Sequence, residues 1–206
     1  KLDVPYQVVV SDNHYYVHLV TDEEEVKSLQ SINHFKNTLV DLGLKMKTGL
    51  VVDFRSRELL RDSEDDSTIP LIYSMHIKDG RVRFPQGKEK EYIVKDRKGL
   101  MQENRNYLFV KRFTAKEERR RLQCGIYLKR YLSSFTYISS QNKVNFIDGL
   151  QGLSECVVYG LYVIFNSTLY DVYYRILNGS TQVNSTEINA MPVPDMSVIE
   201  AMGKQL

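Results

Sequence analysis

The sequence predicts an α+β fold: a twisted, mostly antiparallel β-sheet core with flanking helices. Three observations lead there. Strand-length runs rich in Val, Ile, Tyr and Phe fill the middle of the chain, among them 71–77, 91–94 and 106–113. Asp79-Gly80 stands between two such runs and suits the tight turn of a hairpin. Longer stretches on either side repeat apolar residues at three- and four-residue steps, as one face of a helix does.

Taken in order, 6–20 reads as two strands around a Ser-Asp-Asn turn. His14 and His18 share a face of the second strand; with no third ligand nearby they suit polar-face histidines better than a metal pair. Residues 21–42 read as one helix. Asp22 to Glu25 suit its N-terminus, Val26, Leu29, Ile32, Phe35, Leu39 and Leu42 form its buried stripe, and Gly43 ends it. A Val51-Val52 strand then sets Asp53, Arg55 and Arg57 on one face, because strand side chains alternate. An acidic loop spans 61–68. After the hairpin, the strand at 106–113 leads into 114–121, where Thr114 and Glu117 stand in capping-box register and start a helical turn. Leu122, Cys124, Ile126 and Leu128 alternate as a strand, 137–147 reads as a further strand region, and 154–165 is an apolar helix. Ser167 caps the next helix, whose inner stripe is Leu169, Val172, Tyr173 and Ile176. Asn178-Gly179 stops it in a left-handed turn, and Asn184 starts a short helix with Glu187 in capping-box register.

At 206 residues, 42% apolar and 26% charged, the chain has the make-up of one globular domain. No apolar run nears the roughly 18 residues of a membrane helix. No signal peptide opens the chain, and the missing Met suggests a piece of something longer. Cys124 and Cys156 flank no metal-like spacing, which points to a reducing, cytoplasmic setting. The net charge of +2 decides little; its distribution matters more. Dinucleotide and P-loop glycines, G-x-S-x-G and H-E-x-x-H are absent. So are an (Asn/Asp)-Pro-Pro-aromatic run and a glycine-rich S-adenosylmethionine loop, while Glu25-Val26-Lys27 is a stray nuclease-like triplet. Binding is the favoured class, without catalytic residues, cofactor or metal in this chain.

Three segments carry binding chemistry. Thr48-Gly49 with Arg55 and Arg57 suits a phosphate or a guanine edge, unless the arginines simply pair with Asp53. Lys111, Arg112, Lys116, Arg119, Arg120 and Arg121 form the most basic stretch, suited to phosphates unless Glu117 and Glu118 take up its charge. Asn178 to Thr186 offer hydroxyl, amide and N–H donors to phosphates or base edges, or else form a solvated capped loop.

In their order, T-G-L-V-V-D-F-R from Thr48, V-K-R-F-T-A-K-E-E-R-R from Val110 and L-N-G-S-T-Q-V-N from Leu177 resemble one family. It is the C-terminal specificity region of Eco57I-type adenine-specific DNA methyltransferases, similar to that of TaqI-like methylases and of type I restriction specificity subunits. The chain departs from the pattern at 141–145, where a Glu-Asn-His-like run is only partly kept, and at Ser180, often His in the family. The resemblance implies a single DNA target-recognition domain over 1–206: N-terminal strands and helix at 1–43, the family-like core at 44–195, and the start of a C-terminal helix at 196–206. It implies DNA contacts by Thr48, Gly49, Arg55, Lys111, Arg112, Lys116, Arg119, Arg120, Asn178, Gly179, Thr181, Gln182 and Asn184. Of these, the middle, basic group is expected on phosphates, and base readers are expected in less family-like parts such as 81–105. The implied partners are double-stranded DNA and a catalytic methyltransferase domain of the same polypeptide, with no membrane. That domain would bind S-adenosylmethionine and methylate N6 of a flipped adenine, with or without restriction endonuclease activity in the parent. The competing expectation is a protein–protein docking module of a methyltransferase or restriction complex.

Overall fold

The computed structural model describes residues 2–11, 16–95 and 97–206. It opens with one helical turn, α1 (Tyr6–Val9), and a minimal antiparallel hairpin of β1 (Val10–Ser11) with β2 (Tyr16–Val17). The first of the two expected strands is therefore partly helical. His14 lies outside the described residues. His18 is buried 5.9 Å from the Tyr173 ring, not on a polar face.

Helix α2 (Glu23–Ile32) is capped by Asp22, whose Oδ1 accepts from the Glu25 N–H at 2.9 Å. It stops well short of the expected residue 42. The Thr38 N–H and hydroxyl both donate to Asp41 Oδ2, at 2.8 and 2.7 Å, a local alternative to helical bonding. Asn37–Thr38 instead forms β3, and Gly43, at φ +72°, turns the chain into β4 (Leu44–Thr48). Two 3₁₀ turns, Asp53–Arg55 and Arg57–Leu59, replace the strand expected beyond Val51. The Asp53 carboxylate takes the Phe54 N–H at 3.1 Å, which favours that turn.

There follow β5 (Leu60–Arg61), β6 (Thr68–Ile72), β7 (Ile77–Lys78), β8 (Arg81–Val82) and β9 (Tyr92–Val94). Next come β10 (Gln102–Glu103), β11 (Tyr107–Lys111), β12 (Cys124–Tyr127), β13 (Tyr137–Ser140) and β14 (Val144–Gly149). Between β7 and β8, Asp79 and Gly80 adopt φ 51° and 74°, the tight turn their sequence predicts. Then come α3 (Glu155–Phe165) and α4 (Thr168–Leu177), capped by Ser154 and Ser167 as N-cap rules require. The chain ends with α5 (Ser185–Ala190), β15 (Pro192–Val193), which pairs with β3, and α6 (Met196–Gly203).

Two larger sheets form the core, so the fold is α+β as the sequence predicts. One has the order β4-β14-β11-β12-β8-β7, antiparallel except for β12 with β8. The other has the order β10-β13-β6-β9-β5, antiparallel except for β13 with β6. Alternation along β4, β11 and β14 sends Met46, Leu108, Val110 and Ile147 to a core shared with α3 and α4. Tyr107, Phe109 and Phe146 point the other way, to Ile72 and Ile138 of the second sheet. Burial on both faces explains why β11 is apolar from Tyr107 to Val110 and why β12 carries no charged residue. Helices α3 and α6 meet backbone to backbone: a Cβ on Gly160 would stand 1.9 Å from the Ile199 carbonyl oxygen. Among the described residues no helix is long and apolar enough to cross a membrane.

Candidate nucleic-acid interface

At one end of the six-stranded sheet β4 and β11 finish and β14 begins, with Thr48 opposite Asn145 and Lys111 opposite Val144. The turn from Gln141 to Val144 is the meeting point. Gly49 donates its N–H to the Val144 carbonyl at 2.8 Å, and Asn142 donates its own to Val51 at 2.8 Å. Arg112 donates from its backbone to the Lys143 carbonyl at 3.0 Å and from Nη1 to the Asn142 carbonyl at 2.9 Å. Gln141 Nε2 holds Asp53 Oδ2 at 2.9 Å, which fixes the turn that carries Arg55.

The loop after α4 joins the same edge. Phe113 and Gln182 form an antiparallel bridge, Val183 N–H donates to the Arg112 carbonyl at 2.7 Å, and Thr114 N–H to Thr181 at 3.0 Å. Asn145 Nδ2 adds a bond to the Val183 carbonyl at 2.9 Å. Segments more than a hundred residues apart in sequence thus abut at one sheet end.

The basic stretch 112–121 contains no helical start. Thr114 is buried and donates its hydroxyl to the Arg121 carbonyl at 3.0 Å, while Glu118 Oε1 accepts from the Ala115 N–H at 2.8 Å. Arg121, 1% exposed, organises the loop. Its guanidinium donates to Ser180 O at 2.6 Å, Thr114 Oγ1 at 3.3 Å and Asn178 O at 3.5 Å, and lies 5.6 Å from the Tyr174 ring. Its backbone N–H reaches Asp171 Oδ1 at 2.6 Å, and Asp171 also takes Arg175 Nε at 2.9 Å. Arg175 in turn donates to the carbonyls of Lys116 and Glu118 at 2.7 and 2.8 Å. A buried cation needs such partners, and the guanidinium fork can serve several at once.

The expected site residues divide into two sets. Several build the edge from inside. Gly49 is required because a Cβ there would stand 2.1 Å from the Gln141 carbonyl oxygen, and its N–H is already used. Thr48 Oγ1 donates to Asn145 Oδ1 at 3.2 Å, and Arg120 donates to Thr168 Oγ1 at 3.1 Å. Asn178 is extended (φ −129°, ψ 110°), not left-handed; its Oδ1 accepts from the Ser180 N–H at 2.7 Å and its Nδ2 reaches the Glu187 carboxylate. Asn184 caps α5 through the Thr186 N–H at 3.0 Å, so Glu187 is spent on Asn178 and Tyr174 rather than on a capping box.

The other set faces outward. Lys116, Arg119, Arg55, Gly179 and Thr181 are exposed, and Lys111, Arg112 and Gln182 are half-buried. Two exposed rings accompany them, Phe54 beside Arg55 and Phe113 beside Arg112, each 5.5 Å from its guanidinium. In 81–105, Arg83 is paired with Asp79 at 3.0 Å and Arg105 with Glu103, so part of that charge is neutralised. Arg121, grouped in the sequence with the phosphate-suited cations, is instead buried and structural, and sequence reasoning missed the exposed Lys143, although the departure from the family pattern at 141–145 marked its turn.

No family model matches the chain. Over nearly its whole length it is similar to type II methyltransferases. Identity with type II methyltransferase M.PstI of Providencia stuartii is 34% over 211 residues, 99% of this chain and 41% of that protein. With type II methyltransferase M.BsuBI of Bacillus subtilis it is 32% over 206 residues, 97% of this chain and 41% of the relative. The chain therefore spans about two fifths of the length of the curated methyltransferases it matches.

Proposed function

We propose that the chain is the DNA-recognition part of a restriction–modification methyltransferase. It forms one target-recognition domain over 1–206 that grips a duplex and helps select the site. One observation carries the reading. Three segments that resemble specificity regions abut at a single sheet end and present Arg55, Lys116, Arg119 and Gln182 outward. Similarity to two type II methyltransferases, at two fifths of their length, supports it and leaves the rest of the parent for methyl transfer.

The chain carries neither a glycine-rich donor loop nor an (Asn/Asp)-Pro-Pro-aromatic run, so S-adenosylmethionine and adenine-N6 chemistry are assigned to that remainder. The partners are then double-stranded DNA and the catalytic domain of the same polypeptide, in the cytoplasm. Exposed cations neutralise phosphates and fix the register, while amide and hydroxyl groups between them meet base edges. Binding to duplex DNA across a salt series tests this. At about 0.9 per neutralised phosphate, three or more contacts give a log–log slope of about −3 or steeper. An affinity independent of salt, or no binding, overturns the reading.

A further inference from the structure

We propose that Phe113 and Gln182 form a base-reading pair that enters the major groove together and selects an A·T base pair. The inference rests on the DNA-recognition reading and goes beyond it by naming which side chains touch bases; it sets them in the family-like segments rather than in 81–105, where Arg83 and Arg105 are paired with Asp79 and Glu103. Directly opposed residues of an antiparallel bridge send their side chains to the same face, with Cβ atoms about 5 Å apart. The Phe113 ring is 48% exposed. The Gln182 backbone is occupied: its carbonyl accepts from Asn178 Nδ2 at 3.2 Å and its N–H donates to Ser180 Oγ at 3.3 Å. Among the described residues its side-chain amide has no hydrogen-bond partner, so donor and acceptor are both available.

The pair is held rigidly. Backbone bonds on either side, Val183 to Arg112 at 2.7 Å and Thr114 to Thr181 at 3.0 Å, make a short two-stranded ribbon, and buried Arg121 braces its base. A ribbon of this kind fits a major groove about 12 Å wide. Glutamine offers the donor–acceptor couple that matches N6 and N7 of adenine, and a phenylalanine edge suits the thymine methyl. Lys111, Arg112 and Lys116 flank the ribbon where phosphates would run. Fixed geometry reduces the ordering cost of such contacts.

Selection of the chain's bound fraction from a duplex library with a randomised core, followed by sequencing, tests the pair. The wild-type profile should contain an A·T preference that Gln182→Ala and Phe113→Ala each weaken by about fivefold or more, with affinity for the unselected pool about unchanged. Gln182→Glu should turn that position toward C·G, because a carboxylate accepts from cytosine N4. Lys116→Ala with Arg119→Ala should lower pool affinity and leave the profile alone. Equal thermal midpoints establish that the variants fold. A wild-type chain without sequence preference, or Phe113 and Gln182 variants whose profiles are unchanged from the wild type, overturns the inference. A wild-type chain that binds no duplex at any salt instead overturns the DNA-recognition reading on which the pair depends.

Discussion

Arg121 Nη2 donates to the carbonyl oxygen of Ser180 at 2.6 Å, joining residues 59 positions apart from a side chain that is 1% exposed. The bond holds the most basic loop of the chain against its amide-rich loop. Arg121→Met keeps much of the volume but leaves the carbonyls of Ser180 and Asn178 without this donor. Asn178 is buried while Ser180 is exposed and its carbonyl can turn to water, so one buried orphan remains and a loss of about 1–3 kcal/mol is expected in urea unfolding. Arg121→Lys, with fewer donors in a looser geometry, should recover only part of it. An unchanged unfolding midpoint for Arg121→Met would show that the loop is held by something else.

Glycines separate structural from surface roles. Gly160→Ala places a Cβ 1.9 Å from the Ile199 carbonyl oxygen, a backbone atom that cannot rotate away. The helix-propensity gain of about 1 kcal/mol is smaller than the overpacking cost of up to about 3 kcal/mol. Net destabilisation and protease-sensitive release of α6 are expected. Gly179→Ala meets nothing within 4 Å and should be neutral or slightly stabilising. The same unfolding titration reads both variants.

A buried pair makes the fold acid-sensitive. Tyr73 N–H donates to His76 Nδ1 at 2.9 Å, so the imidazole proton sits on Nε2 and is donated to Glu91 Oε1 at 2.7 Å. Burial pushes the His76 value down more strongly than the Glu91 carboxylate raises it. For Glu91, burial pushes the carboxyl up, but bonds from His76 and the Gln86 N–H outweigh it and leave it below the usual range. Both folded-state values lie below those of the unfolded chain. The unfolded chain therefore takes up more protons as pH falls, and stability drops. The His76 part is complete above pH 6.5 and is lost below it; the Glu91 part is complete above 4.5 and is lost below that. His76→Gln should be less stable at neutral pH yet lose less between about pH 7 and pH 5. A wild-type unfolding midpoint that is constant over that interval would contradict this.

What the sequence makes legible is what nearby residues decide. Ser154 and Ser167 cap their helices, Asp79-Gly80 turns its hairpin, and Tyr107 to Val110 alternate between two cores, each through local rules. The helix expected to reach Leu42 stops early because Asn37 and Thr38 pair with Val193 and Pro192, far away in sequence. Gly49 reads as a bare donor until the Gln141 backbone is found against it. Arg121 looks like its neighbours Arg119 and Arg120, and only the distant carbonyls of Asn178 and Ser180 single it out. The segments of the candidate site were thus legible, but which side chains face outward depends on tertiary contacts.

Lys116 and Arg119 are exposed, and the proposed function sets them on phosphates. Lys116→Ala with Arg119→Ala should weaken duplex binding uniformly across sequences and make the log–log salt slope shallower by about 2, about one unit per lost phosphate contact. Unchanged slope and affinity would remove both residues from the interface.

Amide hydrogen exchange with and without duplex DNA tests the central claim, convergence of three distant segments on one bound face. Slowed exchange is expected together in 48–55, 112–120 and 178–184, with α3 and α6 unaffected. Protection confined to one of these segments, or centred on α3 and α6, would contradict the account.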